Sequence, residues 1–156
     1  MIIELEPKII TFDKKIQRLC CHPYHNHPRG CPNFGKKIGC PPNQLLINEV
    51  LDFNKKIYLI YTEFNLVKHA RKMRRLYPYW SEYQIYCVLY WQSKARVFQR
   101  QEEKIALQKY GFDYIACPEA CGVNVTELMK RIGIILEWPP RKITRLVSLG
   151  GWKIKN

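Results

Sequence analysis

Lys56-Ile57-Tyr58-Leu59-Ile60-Tyr61-Thr62 is a short run of β-branched, aromatic and aliphatic residues, and it reads as the central strand of the fold. Upstream, residues 1–10 alternate apolar and polar side chains and predict an edge strand interrupted by Pro7. A short helix is expected over 13–19. Downstream, 66–76 predicts a helix, and 81–110 a longer one, opened by Ser81 with Gln84 as its capping-box partner and stopped by Gly111. Ile85, Val88, Leu89, Ala95, Phe98 and Ile105 trace the stripe that the longer helix should bury. A strand over 112–117 follows, then a helix over 123–132 capped at Asn124 or Thr126 and stopped by Gly133. Residues 134–138 look like a buried strand, Pro139-Pro140 a break, and 143–149 a last strand. This succession predicts an α/β fold: a single-domain layered sheet with flanking helices and a long N-terminal cysteine-rich loop. In such folds sites form at the C-terminal ends of strands, where Cys117 would stand.

A chain of 156 residues is long enough to bury a core without disulfides, and 47% hydrophobic residues supply the material for one. The start, Met-Ile-Ile-Glu-Leu-Glu-Pro-Lys, lacks a basic region followed by an apolar run, and no apolar stretch reaches about 18 residues. A cytoplasmic protein with no membrane span is expected. In that compartment seven cysteines are kept reduced, and an odd count leaves one unpaired in any case, so metal or redox chemistry is favoured over disulfides.

The net charge of +13 favours anionic partners such as nucleic acid, nucleotides or acidic proteins, against the plainer reading of a soluble basic surface. Lys68, Arg71, Lys72 and Arg75 fall at i, i+3, i+4 and i+7 on one face of the 66–76 helix. That stripe either tracks a phosphate backbone or is a solvated face. His69 within it reads as a surface residue. Tyr77, Tyr79, Trp80, Tyr83, Tyr86, Tyr90 and Trp91 form a dense aromatic cluster, expected to be core packing, with a base-stacking platform as the alternative.

The chemistry is concentrated at 20–40, Cys-Cys-His-Pro-Tyr-His-Asn-His-Pro-Arg-Gly-Cys-Pro-Asn-Phe-Gly-Lys-Lys-Ile-Gly-Cys, which holds four cysteines and three histidines. Its prolines and glycines exclude a long helix or a central strand. Pro41-Pro42 should open a helix carrying Leu45, Leu46, Val50 and Phe53 and ending near Asn54. Cys40 would then lie at a helix N-terminus, where the dipole stabilises a thiolate. A second motif, Cys117-Pro118-Glu119-Ala120-Cys121-Gly122, is simplest to use if it folds onto the same site. Cys87, on the long helix, is set aside as a small hydrophobe.

Ten residues separate Cys20 from Cys31, eight separate Cys31 from Cys40 and three separate Cys117 from Cys121, so neither a zinc-ribbon knuckle nor a ferredoxin run is present. A [4Fe–4S] site with scattered cysteines fits, as does zinc with His22, His25 or His27 completing the shell. There is no Gly-rich phosphate loop, no Gly-x-Ser-x-Gly elbow and no His-Glu-x-x-His helix.

The segments Gly30-Cys-Pro-Asn-Phe-Gly-Lys-Lys-Ile-Gly-Cys-Pro-Pro42 and Glu119-Ala-Cys-Gly-Val-Asn-Val125 together resemble the uncharacterised family of predicted metal-binding, cysteine-rich small proteins. The resemblance implies Cys31 and Cys40 as ligands, joined by Cys117 or Cys121. The family pattern has a cysteine a few residues before Cys31, where this chain has His27. Either Cys20, with Cys21 as its alternate, loops back to replace it, or the histidine takes its place. Cys20 is preferred, because an all-thiolate set suits iron–sulfur chemistry.

The expected function is therefore a cluster ligated by Cys20, Cys31, Cys40 and Cys117. It would serve electron transfer with a redox partner protein, or cluster-dependent chemistry such as sulfur transfer on an anionic substrate held by Arg18, Arg29, Lys36 or Lys37. Glu119 would be a proton relay or a hydrogen-bond acceptor beside the ligands. The alternative is a zinc-stabilised nucleic-acid-binding module using the Lys68–Arg75 stripe, and a third is a metal-free basic protein whose cysteines pack or sense oxidants.

Overall fold

Four strands pair into one sheet in the order β1-β2-β4-β3: β1 (Ile2–Leu5), β2 (Ile57–Asn65), β3 (Asp113–Ile115) and β4 (Ile143–Gly151). The structure is a computed structural model that describes residues 1–23 and 27–154. β2 is paired on both sides, and Ile57, Leu59 and Ile60 are fully buried, which is why its sequence is apolar on both faces. β1 is the edge strand and ends just before Pro7, which opens a single 3-10 turn.

Every pairing is antiparallel, because β4 inserts between β2 and β3, which run the same way. The rule placing sites at the C-terminal ends of parallel strands therefore does not govern this sheet. What places Cys117 is the alternation of β3: Tyr114 packs with Tyr58 and Phe112 on one face, Ile115 with Leu59 and Leu149 on the other.

The helices cover both faces. They are α1 (Lys14–Arg18), α2 (Ile47–Val50), α3 (Leu66–Leu76), α4 (Glu82–Ile85), α5 (Gln92–Tyr110) and α6 (Val125–Arg131). On one face Leu59, Tyr61, Val147 and Leu149 form the main core with Ile47, Leu51, Val123, Leu128 and Met129. On the other, Ile60 packs with Ala106 of α5 and Phe112, and Phe64 with Trp91 and Ala95. Gly150 and Gly151 lie within β4, where a Cβ would stand 2.3 Å from the Phe112 ring and 2.9 Å from Ile57 respectively. Asn124 caps α6 by accepting from the Glu127 N–H at 3.0 Å, and Gly111 ends α5 at φ 69°.

Several expectations are corrected. The helix over 81–110 is broken: Ser81 and Gln84 do form a capping box, but on the one-turn α4, and Cys87 is extended before a 3-10 turn leads into α5. The break turns Trp91 inward, stacked on Phe64 at 5.9 Å with its indole N–H donated to the Tyr86 carbonyl. The buried stripe of α5 is Ala95, Gln99, Glu103 and Ala106, whereas Phe98, Ile105 and Leu89 are exposed. Gln99 donates to the Ile60 carbonyl and to Ser148, Thr62 donates to Gln99, and Ser148 donates to Glu103, so polar groups fill the helix–sheet seam.

Residues 134–138 form no strand: no neighbouring strand pairs with them, and Ile135 and Trp138 face solvent while Ile134 and Leu136 touch the core. His69 is buried against Phe64 rather than exposed, with Nε2 lacking a hydrogen-bond partner, because its place beside Leu66 and Ala70 on α3 is the inward face. Most of the aromatic cluster is not core. Tyr77, Tyr79, Tyr83 and Tyr90 are exposed and only Trp91 is buried, since the break after α4 leaves these rings outside the sheet's cover. Among the described residues, no helix is long and apolar enough to cross a membrane.

Candidate metal centre

The cysteine-rich segment is anchored at its start by α1. Asp13 caps that helix by accepting from the Lys15 N–H at 2.7 Å, and its own N–H is donated to the Gly122 carbonyl of the second motif at 2.8 Å. The Asn124 N–H reaches the Thr11 carbonyl at 2.9 Å, and Phe12 bridges Val123. Gln17, buried at the base, donates to the Gln44 carbonyl at 2.8 Å and the Ala120 carbonyl at 2.9 Å. Three segments distant in sequence are thus tied together by one amide. Gln44 in turn donates to the Cys121 sulfur at 3.2 Å. A glutamine carries no ligand signature, and nothing in its neighbours betrays this role.

Past α1 a 3-10 turn (Leu19–Cys21) presents Cys20 and Cys21. The chain folds back on them: the Cys31 N–H is donated to the Cys20 carbonyl at 2.7 Å. Gly30 makes the approach feasible, since at φ 76° a Cβ there would stand 2.7 Å from the Cys20 carbonyl oxygen. Successive turns then return Cys40, with its N–H on the Lys37 carbonyl at 3.0 Å and the Gly35 N–H on the Pro41 carbonyl at 2.8 Å.

No helix starts at Pro41-Pro42. α2 begins only at Ile47 and has one turn, because residues preceding a proline are pushed out of the α region and both Cys40 and Pro41 precede one. Cys40 therefore has no helix N-terminus beside it to stabilise a thiolate.

Cys117 leaves β3 and heads a 3-10 turn (Pro118–Cys121) with proline at its first position. Its thiol donates to Glu119 Oε2 at 3.7 Å. Burial pushes the Cys117 thiol up to about 12, and the charges of Glu119, Cys20 and Cys40 add to the effect. Burial likewise raises Cys20, with contributions from Cys31, Cys40, Glu119 and Cys21 in that order. Glu119 is raised by loss of hydration. Solvent reaches Cys117 and Glu119, yet the surrounding protein strips enough water from both to disfavour their charged forms.

Cys20, Cys31, Cys40, Cys117 and Glu119 therefore share one neighbourhood. Cys21 is exposed beside it, and His27 lines a recess of about 500 Å³ with Cys20, Cys21, Cys31, Arg29 and Lys36. Cys121 points into the main core, its sulfur held by Gln44, and its place is that of a packing residue. His22 is exposed, His25 lies outside the described residues, and Cys87 sits at the α4–α5 break. Among the described residues, no group of three or more His, Cys, Asp and Glu side chains is set to hold a metal ion.

Thiolates gathered this way repel one another, and a bound cation relieves that repulsion, so the donor set suits a thiophilic metal or cluster. Basic side chains at the rim, Arg29 and Lys36, add attraction for anions. No family model, curated protein or solved structure matches the chain.

Proposed function

We propose that this chain is a cytoplasmic iron–sulfur protein holding a cluster of the [4Fe–4S] type through Cys20, Cys31, Cys40 and Cys117. The observation that carries the reading is that loop 20–40 folds back on itself, with the Cys31 N–H on the Cys20 carbonyl at 2.7 Å and a recess lined by Cys20 and Cys31, while Cys117, from the far end of β3, comes close enough for Cys20 and Cys40 to act on its thiol. A tetrahedral zinc site with Zn–S of about 2.3 Å sets its sulfurs about 3.8 Å apart. A multi-iron cluster presents its ligand positions on separate corners, and so suits cysteines drawn from scattered segments of the chain.

When bound, the cluster supplies one-electron transfer, or an iron site for chemistry such as sulfur transfer. The chain's own residues do the rest. Before ligation Glu119 orients the Cys117 thiol by accepting its S–H, the proton that Cys117 would give up on becoming a ligand. Arg29 and Lys36 draw an anionic substrate, or an acidic redox partner, to the mouth of the recess. Gln17 and Gly30 hold the two arms of the site in register.

Iron, sulfide and zinc analysis of protein purified and reconstituted without oxygen tests this. A brown protein with about four irons and four sulfides per chain is the expected result. Cys→Ser changes at 20, 31, 40 or 117 should each reduce cluster content, and those at 87 and 121 should leave it unchanged. A colourless protein that retains about one zinc and builds no cluster overturns the reading in favour of a structural zinc.

A further inference from the structure

We propose that the outer face of α3 and the aromatic shelf beyond its C-terminus form a binding surface for single-stranded nucleic acid. α3 buries Leu66, His69 and Ala70 and turns Lys68, Arg71, Lys72 and Arg75 to solvent. Among the described residues none of these four has an ion-pair partner. The nearby carboxylate of Glu82 is already engaged by Arg74 at 2.8 Å. The four cations line one side of the helix over about 10 Å. Lys94 of α5 continues the patch, for it and Lys72 both act on His69, whose pKa is lowered chiefly by burial and further by their charges.

The second observation is independent of charge. Tyr77 stacks on Trp80 with centroids 4.1 Å apart and planes 9° from parallel, and Trp80 meets Tyr90 at 4.6 Å. Tyr77 is 44% and Tyr90 48% exposed, and Tyr79 and Tyr83 stand out further still. These rings belong to none of the buried clusters. A stack of aromatic rings left open to water beside unpaired cations offers π-faces to bases and charge to phosphates.

The arrangement selects among polyanions. Bases of a duplex are already stacked on one another, whereas unpaired bases have faces to offer. A membrane-surface helix needs its apolar side free for lipid, and the apolar side of α3 is spent on the protein core. The surface lies on the α5 side of the sheet, whereas Cys121 and the α1 anchor belong to the other, so its test is separate from that of the metal site.

Fluorescence anisotropy with labelled 12-nucleotide oligo(U) and oligo(dT), repeated over a range of salt, is the experiment. Both arms carry the chemistry argued for, and their ratio ranks two strands that differ in the sugar and in the thymine methyl group. Binding to either that weakens steeply with salt is expected. Combined Ala replacement of Lys68, Arg71, Lys72 and Arg75 should flatten the log–log salt slope by about 3. Tyr77→Ala with Tyr90→Ala should cost roughly tenfold or more in affinity at unchanged slope. A charge-matched variant with Ala at Lys8, Lys14, Lys104 and Lys130, and thermal unfolding of every variant, separate local contact from net charge and misfolding. The proposal is overturned if neither oligonucleotide binds at low salt. It is overturned equally if a duplex or phosphatidylserine vesicles bind as tightly, or if the charge-matched variant loses as much.

Discussion

Gly30 shows how much of the site rests on a missing side chain. Its positive φ is open to alanine only with strain, and a Cβ would collide with the backbone of both Cys20 and Cys21. Gly30→Ala should therefore separate Cys31 from Cys20 and lower iron content on reconstitution, while the far-ultraviolet circular dichroism of the protein stays that of the wild type. Normal cluster content in this variant would show that the close approach is dispensable. Glu103 makes a different point. It is 2% exposed, and burial raises its carboxyl above the ordinary range despite hydrogen bonds with Ser148 and Gln99 and the charge of Arg100. A carboxyl raised by folding stabilises the native state fully below the unfolded pKa, and that contribution is lost as pH rises through the folded value. Glu103→Gln should accordingly raise the urea midpoint at neutral pH, and the gain should shrink as pH falls through the raised folded value and be gone below the ordinary carboxyl value of about 4.5. A gain that grows on acidification would mean that Glu103 is stabilised as the anion.

At the scale of elements, legibility followed how local the signal was. α3 was read at its observed limits because its cations repeat at i, i+3, i+4 and i+7 within one stretch, and the Ser81–Gln84 box is likewise a contact three residues apart. α5 defeated the periodicity argument. Its inward face carries Gln99 and Glu103 and its outward face Phe98 and Ile105, so hydrophobicity points the wrong way, and only the polar groups of Ile60 and Ser148 across the seam explain why. The α4–α5 break is fixed by Trp91, whose ring fills the space between Phe64 and Ala95. Trp91→Ala should cost about 3–5 kcal/mol in chemical denaturation. A loss under about 1 kcal/mol would show that the helix can straighten and repack.

For the whole molecule, metal loading and folding are linked, because the thiols of the proposed site come from α1's approach, the returning loop and the exit of β3. Reconstituted protein should melt at a higher temperature than the apoprotein, and Cys117→Ser should lose that difference. Equal melting temperatures would mean that whatever binds does not span those segments. The amino-acid sequence by itself determined the α/β class, the caps of α4 and α6, the central place of β2 and the segments that carry ligand-type side chains, because each depends on residues within a few positions of one another. Only the tertiary structure decided that β4 lies between β2 and β3, that Cys121 joins the core while Cys117 stays exposed at the exit of β3, and that the tyrosines stand outside. Those outcomes depend on which distant surfaces cover one another, and burial of that kind is a property of the assembled layers rather than of any one stretch.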